Sequence, residues 1–171
     1  MPYESTAAGQ QLHGLPSITA YCNDDGALSR TNCGLAAAAT GLCHRQLFAE
    51  KTLAVLEKRL PPDVLFGLFG TSKTRVCKIL SAYRCRWHEI KGRRALRDAL
   101  ERQRPVLVML GLPGRLPAGH WMVAYAYDEQ SICLTNYRSH NDHMKWGTFF
   151  QCWNSWLSRL IGMSNRGIAL D

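Results

Sequence analysis

The spacing of apolar residues changes near the middle of this chain of 171 residues. Between about residues 33 and 104, apolar side chains recur at three- and four-residue intervals, as they do on the buried face of a helix. From Pro105 the chain carries the unbroken run PVLVML, typical of a buried strand. Residues 120–127 and 131–137 then read as a hairpin around residues 128–130. Helices followed by an antiparallel sheet predict an α+β fold.

The helix with the strongest signal begins at a cysteine. Cys33–His44, CGLAAAATGLCH, consists mostly of good helix formers, and Asn32 or Thr31 can cap its start. Residues 1–30 are rich in Gly, Ser, Asn and Asp, and we expect a loosely structured lead-in with one short strand around residues 17–21. The remaining elements are predicted from their apolar patterns as helices over residues 51–59, 72 or 73 to 83, 94–103 and 149–160, and a closing strand over 167–170.

Length and composition indicate one globular unit. With 46% hydrophobic and 20% charged residues, the chain can build one ordinary core, so we expect residues 1–171 to form a single domain. No stretch approaches the roughly 20 apolar residues of a membrane span. The N-terminus lacks the basic and then apolar pattern of a signal peptide, which predicts a cytoplasmic protein or one exported without a cleavable signal.

The seven cysteines are an odd number, and five of them lie in apolar stretches. This pattern predicts reduced thiols rather than a disulfide framework. No cofactor is predicted, and neither a CxxC pair nor zinc-finger spacing is present, so a structural metal is not expected. His140, Asp142 and His143 could bind a metal weakly, but base rates favour a polar loop.

The net charge is +8, and basic residues are concentrated between Lys73 and Arg104. Such a run could contact an acidic partner, nucleic acid or an anionic membrane surface. A solvated face is the simpler interpretation. Nucleic-acid binding is not expected, because no binding motif or pattern of stacking aromatics accompanies the charge.

Three residues have the types and positions of a thiol catalytic site. Cys33 begins a helix, where the helix dipole lowers a thiol pKa, and Gly34 would let a substrate backbone approach. His120 opens a strand after a Gly/Pro loop, which suits a general base. Asn136 ends the next strand, 16 residues on. Its amide oxygen could accept the Nδ1 proton of His120 and leave Nε2 for the thiol.

The segments NCGLAAA and GHWMVAYAYDEQSICLTNY resemble the papain-like cysteine peptidase superfamily, and are most similar to bacteriocin-leader-processing peptidases. The resemblance implies a nucleophile helix packed on a C-terminal antiparallel sheet. It makes Cys33 the nucleophile, His120 the base and Asn136 the orienting residue. The implied reaction is cleavage of a peptide or isopeptide bond in a protein or peptide substrate, through a thioester acyl-enzyme.

The sequence departs from this family upstream of the nucleophile. The family places a Gln about six residues before the cysteine to donate to the oxyanion, and this chain has Ala27 there. A substitute donor could come from another side-chain amide, and we favour Asn23. The candidates are Asn23, Gln10, Gln11 and Asn32.

Two other functions fit the same residues. A papain-like effector could use the thioester to deamidate a glutamine or transfer an acyl group on a protein substrate. A catalytically inactive domain could only bind a peptide, and Ala27 in place of the Gln favours this alternative. Taken singly, Cys33, His120 and Asn136 each have an ordinary structural interpretation, but together they match in order, spacing and placement.

Overall fold

A computed structural model describes residues 11–28, 30–50, 52–64, 70–111, 119–136 and 141–171. The helices are α1 (Cys33–His44), α2 (Ala54–Arg59), α3 (Lys73–Ala82), α4 (Gly92–Glu101), α5 (Trp146–Trp153) and α6 (Trp156–Leu160). The strands are β1 (His13–Gly14), β2 (Trp87–Lys91), β3 (Val106–Gly111), β4 (Gly119–Tyr127), β5 (Ser131–Thr135), β6 (Asn141–Lys145) and β7 (Arg166–Leu170). One turn of 3-10 helix spans Asn23–Asp25.

The seven strands form one antiparallel sheet, in the order β2-β7-β3-β4-β5-β6, and β1 pairs with β4. Hydrophobic cores cover both faces. Along β3, Leu107 and Met109 lie in the core that contains α1 and α3, whereas Val106, Val108 and Leu110 lie in the core that contains α4 and α5. Burial on both faces explains why this strand is an unbroken apolar run. The predicted α+β architecture is confirmed, with α1 packed on β3 and β4.

Small residues allow α1 to pack closely. Ala36–Ala39 are completely buried. A Cβ atom at Gly41 would lie 2.4 Å from Leu170 Cδ1, and one at Gly34 would lie 2.5 Å from Thr71 Cβ. Gly34 therefore has a packing role against Thr71, and the approach of a substrate backbone stays a prediction.

Two predictions of local structure are wrong. Residues 17–21 form no strand, because Ile18 and Tyr21 pack into the core beside α1 and the Tyr21 N–H donates to Thr40 Oγ1 at 2.9 Å. The helix predicted over 149–160 is two helices. Ser155 is extended, and its hydroxyl accepts from the Ser158 N–H at 3.2 Å, which starts a new helix.

β2 and β6 were not predicted. They lie at the two edges of the sheet, where most of their residues are polar and partly exposed, as in WHEIK and NDHMK. Asp142 and His143 therefore belong to an edge strand rather than to a polar loop, and His140 lies outside the described residues. Within the ranges that the structure describes, no helix is long and apolar enough to cross a membrane.

Candidate active site

Cys33 is the first residue of α1, and its thiol lies against strand β4. The residue is only 6% exposed, and its sulfur is within hydrogen-bonding reach of the backbone N–H of Trp121. Burial raises the pKa of the Cys33 thiol, and the backbone N–H groups of Trp121, Gly34 and Cys33 itself lower it by less. In the resting structure burial therefore outweighs the acidifying effect that the helix start was expected to have on the Cys33 pKa.

His120 is the second residue of β4, directly before Trp121. Its Nε2 lies 2.5 Å from the backbone carbonyl oxygen of Asn136. The sequence predicts a hydrogen bond between His120 Nδ1 and the side-chain oxygen of Asn136. The structure instead pairs Nε2 with the backbone oxygen of Asn136, so the prediction is wrong for both the ring nitrogen and the oxygen. Because a carbonyl oxygen can only accept, Nε2 carries the proton, and the basic lone pair of the neutral ring is on Nδ1.

Asn136 directly follows β5 and is buried. Its φ of 59° lies in the left-handed region, which Asn tolerates better than most residues. The side-chain Nδ2 donates to Asn23 Oδ1 at 2.9 Å and to the Trp121 carbonyl at 3.3 Å. Its Oδ1 accepts from the Asn23 N–H at 3.3 Å. Asn136 thus contacts His120 through its backbone and Asn23 through its amide.

Among the four candidate oxyanion donors, Asn23 contacts Asn136 through its side chain, and Asn32 directly precedes Cys33. Asn32 Nδ2 donates to the Asn23 carbonyl and to Glu57 Oε1, both at 3.0 Å, so its two amide protons are already used. The Asn32 side chain also makes no capping hydrogen bond to α1. These contacts make Asn32 a structural residue in the resting structure and favour Asn23 over it as the proposed donor.

Gln11 is excluded as an oxyanion donor by its position. It precedes β1, whose His13 pairs with Tyr127 at the far end of β4. Tyr127 is seven residues from His120 on that strand, which corresponds to about 23 Å. Gln10 lies outside the described residues.

Glu57 was not identified from the sequence, yet it anchors the segment that leads to the nucleophile. From α2 its carboxylate accepts hydrogen bonds from the N–H groups of Ala27 at 3.0 Å and Leu28 at 2.9 Å, and from Asn32 Nδ2 at 3.0 Å. Nothing in the sequence could have indicated this, because the carboxylate comes from another helix 24 positions after Cys33.

A cavity of about 340 Å³ opens beside the nucleophile. Cys33, Gly119 and Trp121 line it together with apolar side chains from β3 and the α6 region. Gly119 packs closely on this wall, because a Cβ atom there would lie 2.7 Å from Met109 Sδ and would displace that side chain. The Trp121 indole N–H donates to the Thr71 carbonyl at 2.8 Å and so fixes one wall of the cavity.

Comparison with known proteins gives structural matches without sequence matches. No protein-family model matches the chain, and no curated protein matches it in sequence. The peptidase domain of the bifunctional ABC transporter ComA from Streptococcus superposes with a TM-score of 0.60 at 16% identity, over 82% of this chain and 91% of that chain. A C39-like peptidase from Bacillus anthracis gives a TM-score of 0.68 at 13% identity, over 94% and 98%. The chain has a papain-like, C39-like peptidase fold.

A third solved structure has the same papain-like fold. It is the double glycine motif protease from an AMS/PCAT transporter in complex with the leader peptide, with a TM-score of 0.63 at 11% identity, over 92% of this chain and 93% of that chain. At such identities the likeness establishes the fold alone. The roles of individual residues must therefore be argued from the geometry of this chain.

Other titratable groups of this papain-like fold lie in structural positions. His143 Nδ1 is 3.3 Å from Ser131 Oγ and 3.6 Å from Cys133 Sγ, and Ser131 Oγ contacts both carboxylate oxygens of Asp128. Burial raises the pKa of the Cys133 thiol to about 12. All seven cysteines lie in the described residues and are free thiols. Within those residues no group of three or more His, Cys, Asp or Glu side chains could hold a metal ion.

Proposed function

We propose that this chain is a cysteine peptidase that cleaves a peptide or isopeptide bond through a thioester acyl-enzyme. The observation that carries the proposal is the meeting of three elements at one end of the sheet. The Cys33 thiol lies against the Trp121 N–H, His120 directly precedes Trp121, and His120 Nε2 lies 2.5 Å from the Asn136 carbonyl oxygen. We further propose that residues 1–171 form one papain-like domain.

In the proposed mechanism His120 Nδ1 removes the thiol proton as Cys33 Sγ attacks the carbonyl carbon of the scissile bond. The tetrahedral oxyanion that forms is stabilised by the Cys33 backbone N–H and the Asn23 side-chain amide. When the C–N bond breaks, the imidazolium donates its proton to the departing amine. A water molecule, deprotonated by His120, then attacks the thioester carbon, and the acid product leaves as the thiol is restored.

Asn136 supports this mechanism by orienting two groups. Its carbonyl fixes the His120 tautomer that carries the lone pair on Nδ1. Its amide binds both the main chain and the side chain of Asn23, the proposed second oxyanion donor. The neighbouring structure with a bound leader peptide supports a peptide as the substrate class.

The proposal is tested with an electrophilic peptide probe for cysteine peptidases and with cleavage of a proteome-derived peptide mixture, both read by mass spectrometry. We expect the probe on Cys33 and new peptide termini from the wild type, and neither from Cys33→Ala. Cys43→Ala is the control, because it removes a half-buried thiol at the other end of α1. New glutamate in place of glutamine without cleavage would indicate a deamidase instead. Probe labelling that persists in Cys33→Ala would contradict the proposal.

A further inference from the structure

Helix α4 carries two arginines whose guanidinium groups lie over aromatic rings. Arg93 Cζ is 5.6 Å from the ring centroid of Trp146 and 5.3 Å from that of Phe150. One helical turn later, Arg97 Cζ is 4.7 Å from the ring centroid of Tyr127. A guanidinium over an aromatic face is attracted by the ring, which restricts its motion. Both groups are therefore oriented before any ligand binds, and an oriented donor loses less entropy on binding.

The same two arginines are not neutralised by acidic groups of the chain. Within the residues that the structure describes, neither Arg93 nor Arg97 forms an ion pair with a carboxylate. The nearby Glu101 carboxylate instead accepts a hydrogen bond from the Tyr127 hydroxyl at 2.6 Å. Arg93 is exposed and Arg97 is half-buried. Two oriented cations thus lie one helical turn apart with their charge uncompensated.

The positions of Arg93 and Arg94 do not favour α4 itself. Both lie in its first turn, where the helix dipole is positive, and that turn contains no acidic residue. The Arg94 side chain is 96% exposed, and its Nε is 4.0 Å from Asp98, a surface pair that contributes little. Together with Arg97 these residues make up the arginine face of α4. An anion bound to this face would offset charges that weaken the helix.

The arginine face lies far from the candidate active site. α4 packs in the core on one side of the sheet, whereas α1 and Cys33 belong to the core on the other side. Tyr127, which Arg97 covers, is seven residues from His120 along β4, a separation of about 23 Å. A molecule bound to the arginine face therefore leaves the nucleophile accessible.

We propose that the arginine face docks a short acidic segment of a partner protein, with one carboxylate on Arg93 and another on Arg97. A guanidinium matches a carboxylate with two parallel N–H donors. Positions four apart on a helix have Cβ atoms about 5–6 Å apart, a distance that the carboxylates of neighbouring acidic residues can span. This proposal does not depend on the peptidase function.

The surroundings favour a short acidic segment over nucleic acid. The arginines line a hollow of about 310 Å³, at the small end of the range for specific sites, and Asp98 and Glu101 border it. A continuous chain of phosphates would be brought against these two carboxylates. The Trp146 ring is buried under Arg93 and is not open to base stacking.

The test measures fluorescence anisotropy of a fluorescein-labelled hexaglutamate peptide, with hexaglutamine as the neutral control, at about 0.15 M salt. We expect saturable binding of hexaglutamate that weakens as salt rises, and no binding of hexaglutamine. Arg93→Gln should raise the Kd roughly tenfold or more, because a charge-assisted pair of hydrogen bonds is lost. Arg93→Lys should give an intermediate Kd, since it keeps the charge without the planar fork.

Arg59→Gln is the matched control for net charge. Arg59 is an exposed residue at the end of α2, whose Leu56 packs in the core on the α1 side of the sheet. It should bind hexaglutamate as the wild type does. Arg94→Gln removes a fully solvated side chain and should weaken binding without lowering stability in urea denaturation, which separates lost binding from lost folding.

Equal losses in Arg93→Gln and Arg59→Gln would show attraction to net charge alone and overturn the proposal, as would equal binding of hexaglutamate and hexaglutamine. Tighter binding of an oligothymidylate of the same charge, lost in Arg93→Gln, would assign the face to nucleic acid and also overturn it. Cys33→Ala should bind hexaglutamate like the wild type, so failure of the peptidase function leaves this inference intact.

Discussion

Thr71 carries a buried hydroxyl that has no hydrogen-bond partner in the described structure, although it lies against Gly34 and lines the cavity beside Cys33. A buried polar atom without a partner costs free energy of folding. The residue therefore lowers stability at the place where a substrate is proposed to bind.

Replacing this hydroxyl by a methyl group should stabilise the protein. We expect Thr71→Val to raise the free energy of unfolding by about 1 kcal/mol, measured by urea denaturation. Thr40→Val is the matched control, because the buried Thr40 hydroxyl accepts from the Tyr21 N–H and its loss should destabilise by about 1–3 kcal/mol. A loss of stability in Thr71→Val would show that the hydroxyl has a partner after all.

The raised pKa of Cys33 predicts how the thiol responds to pH. Since burial favours the neutral thiol, its thiolate fraction at neutral pH is below that of an ordinary cysteine. The rate of Cys33 alkylation by iodoacetamide, followed by mass spectrometry, should therefore still be rising above pH 9. A rate that is already constant from about pH 6 would indicate a preformed thiolate–imidazolium pair and contradict this account.

Asn136 acts on His120 through its carbonyl, so its side chain should be dispensable for histidine orientation. Asn136→Gly keeps the carbonyl and suits the left-handed φ of 59°. We expect Cys33 labelling by the peptide probe to be retained, whereas turnover falls roughly 10- to 100-fold because Asn23 loses its partner. Asn136→Ala serves as the comparison. Its free energy of unfolding should be about 1–2 kcal/mol below that of Asn136→Gly, because Ala is strained at this φ. Loss of probe labelling in Asn136→Gly would restore the side chain as the orienting group.

At the scale of elements, the 3-10 helix Asn23–Asp25 is joined to the start of α1 by a chain of hydrogen bonds. Glu57 holds Asn32, Asn32 holds the Asn23 carbonyl, and Asn23 pairs with Asn136. These hydrogen bonds connect α2, the start of α1, the 3-10 helix and the end of β5 beside the nucleophile. We propose that this arrangement replaces the Gln that the resemblance to papain-like peptidases implies at the position of Ala27.

This connection predicts the effect of removing the proposed oxyanion donor. Asn23→Ala should lower turnover by roughly 100-fold while probe labelling of Cys33 remains. Asp24→Ala is the control, since Asp24 is exposed on the same turn of helix. Unchanged turnover in Asn23→Ala would mean that backbone donors suffice or that Cys33 does not catalyse acyl transfer.

The elements that the sequence predicts are those with strong apolar signals. α1, α3, α4 and the hairpin of β4 and β5 match their predictions closely, because each buries a helical stripe or a continuous strand. Edge strands and a helix break at Ser155 carry weak apolar patterns and were missed. The candidate site residues could be proposed from type and order, but the atoms that form their hydrogen bonds could not, because Asn136 has a left-handed backbone.

At the scale of the whole molecule, the candidate site lies at one end of the sheet, where β4 begins and β5 ends. α1 brings Cys33 to that end and buries its other residues against the sheet. Some of the basic residues between Lys73 and Arg104 form ion pairs with acidic residues of the same chain. Binding of an acidic partner to this region stays a prediction. The pairs are Lys73 with Glu89, Arg75 with Asp63, Arg94 with Asp98 and Arg104 with Asp171.

The central claim is that Cys33 forms a thioester with the help of His120. The most direct test uses a peptide that the protein is found to cleave. The reaction is quenched with acid, and the intact mass of the protein is measured. The wild type should carry the N-terminal peptide fragment as an adduct on Cys33, with the loss of one water relative to the free acid, and His120→Ala should carry none. An adduct that forms equally in His120→Ala, or release of both fragments by Cys33→Ala, would contradict the account.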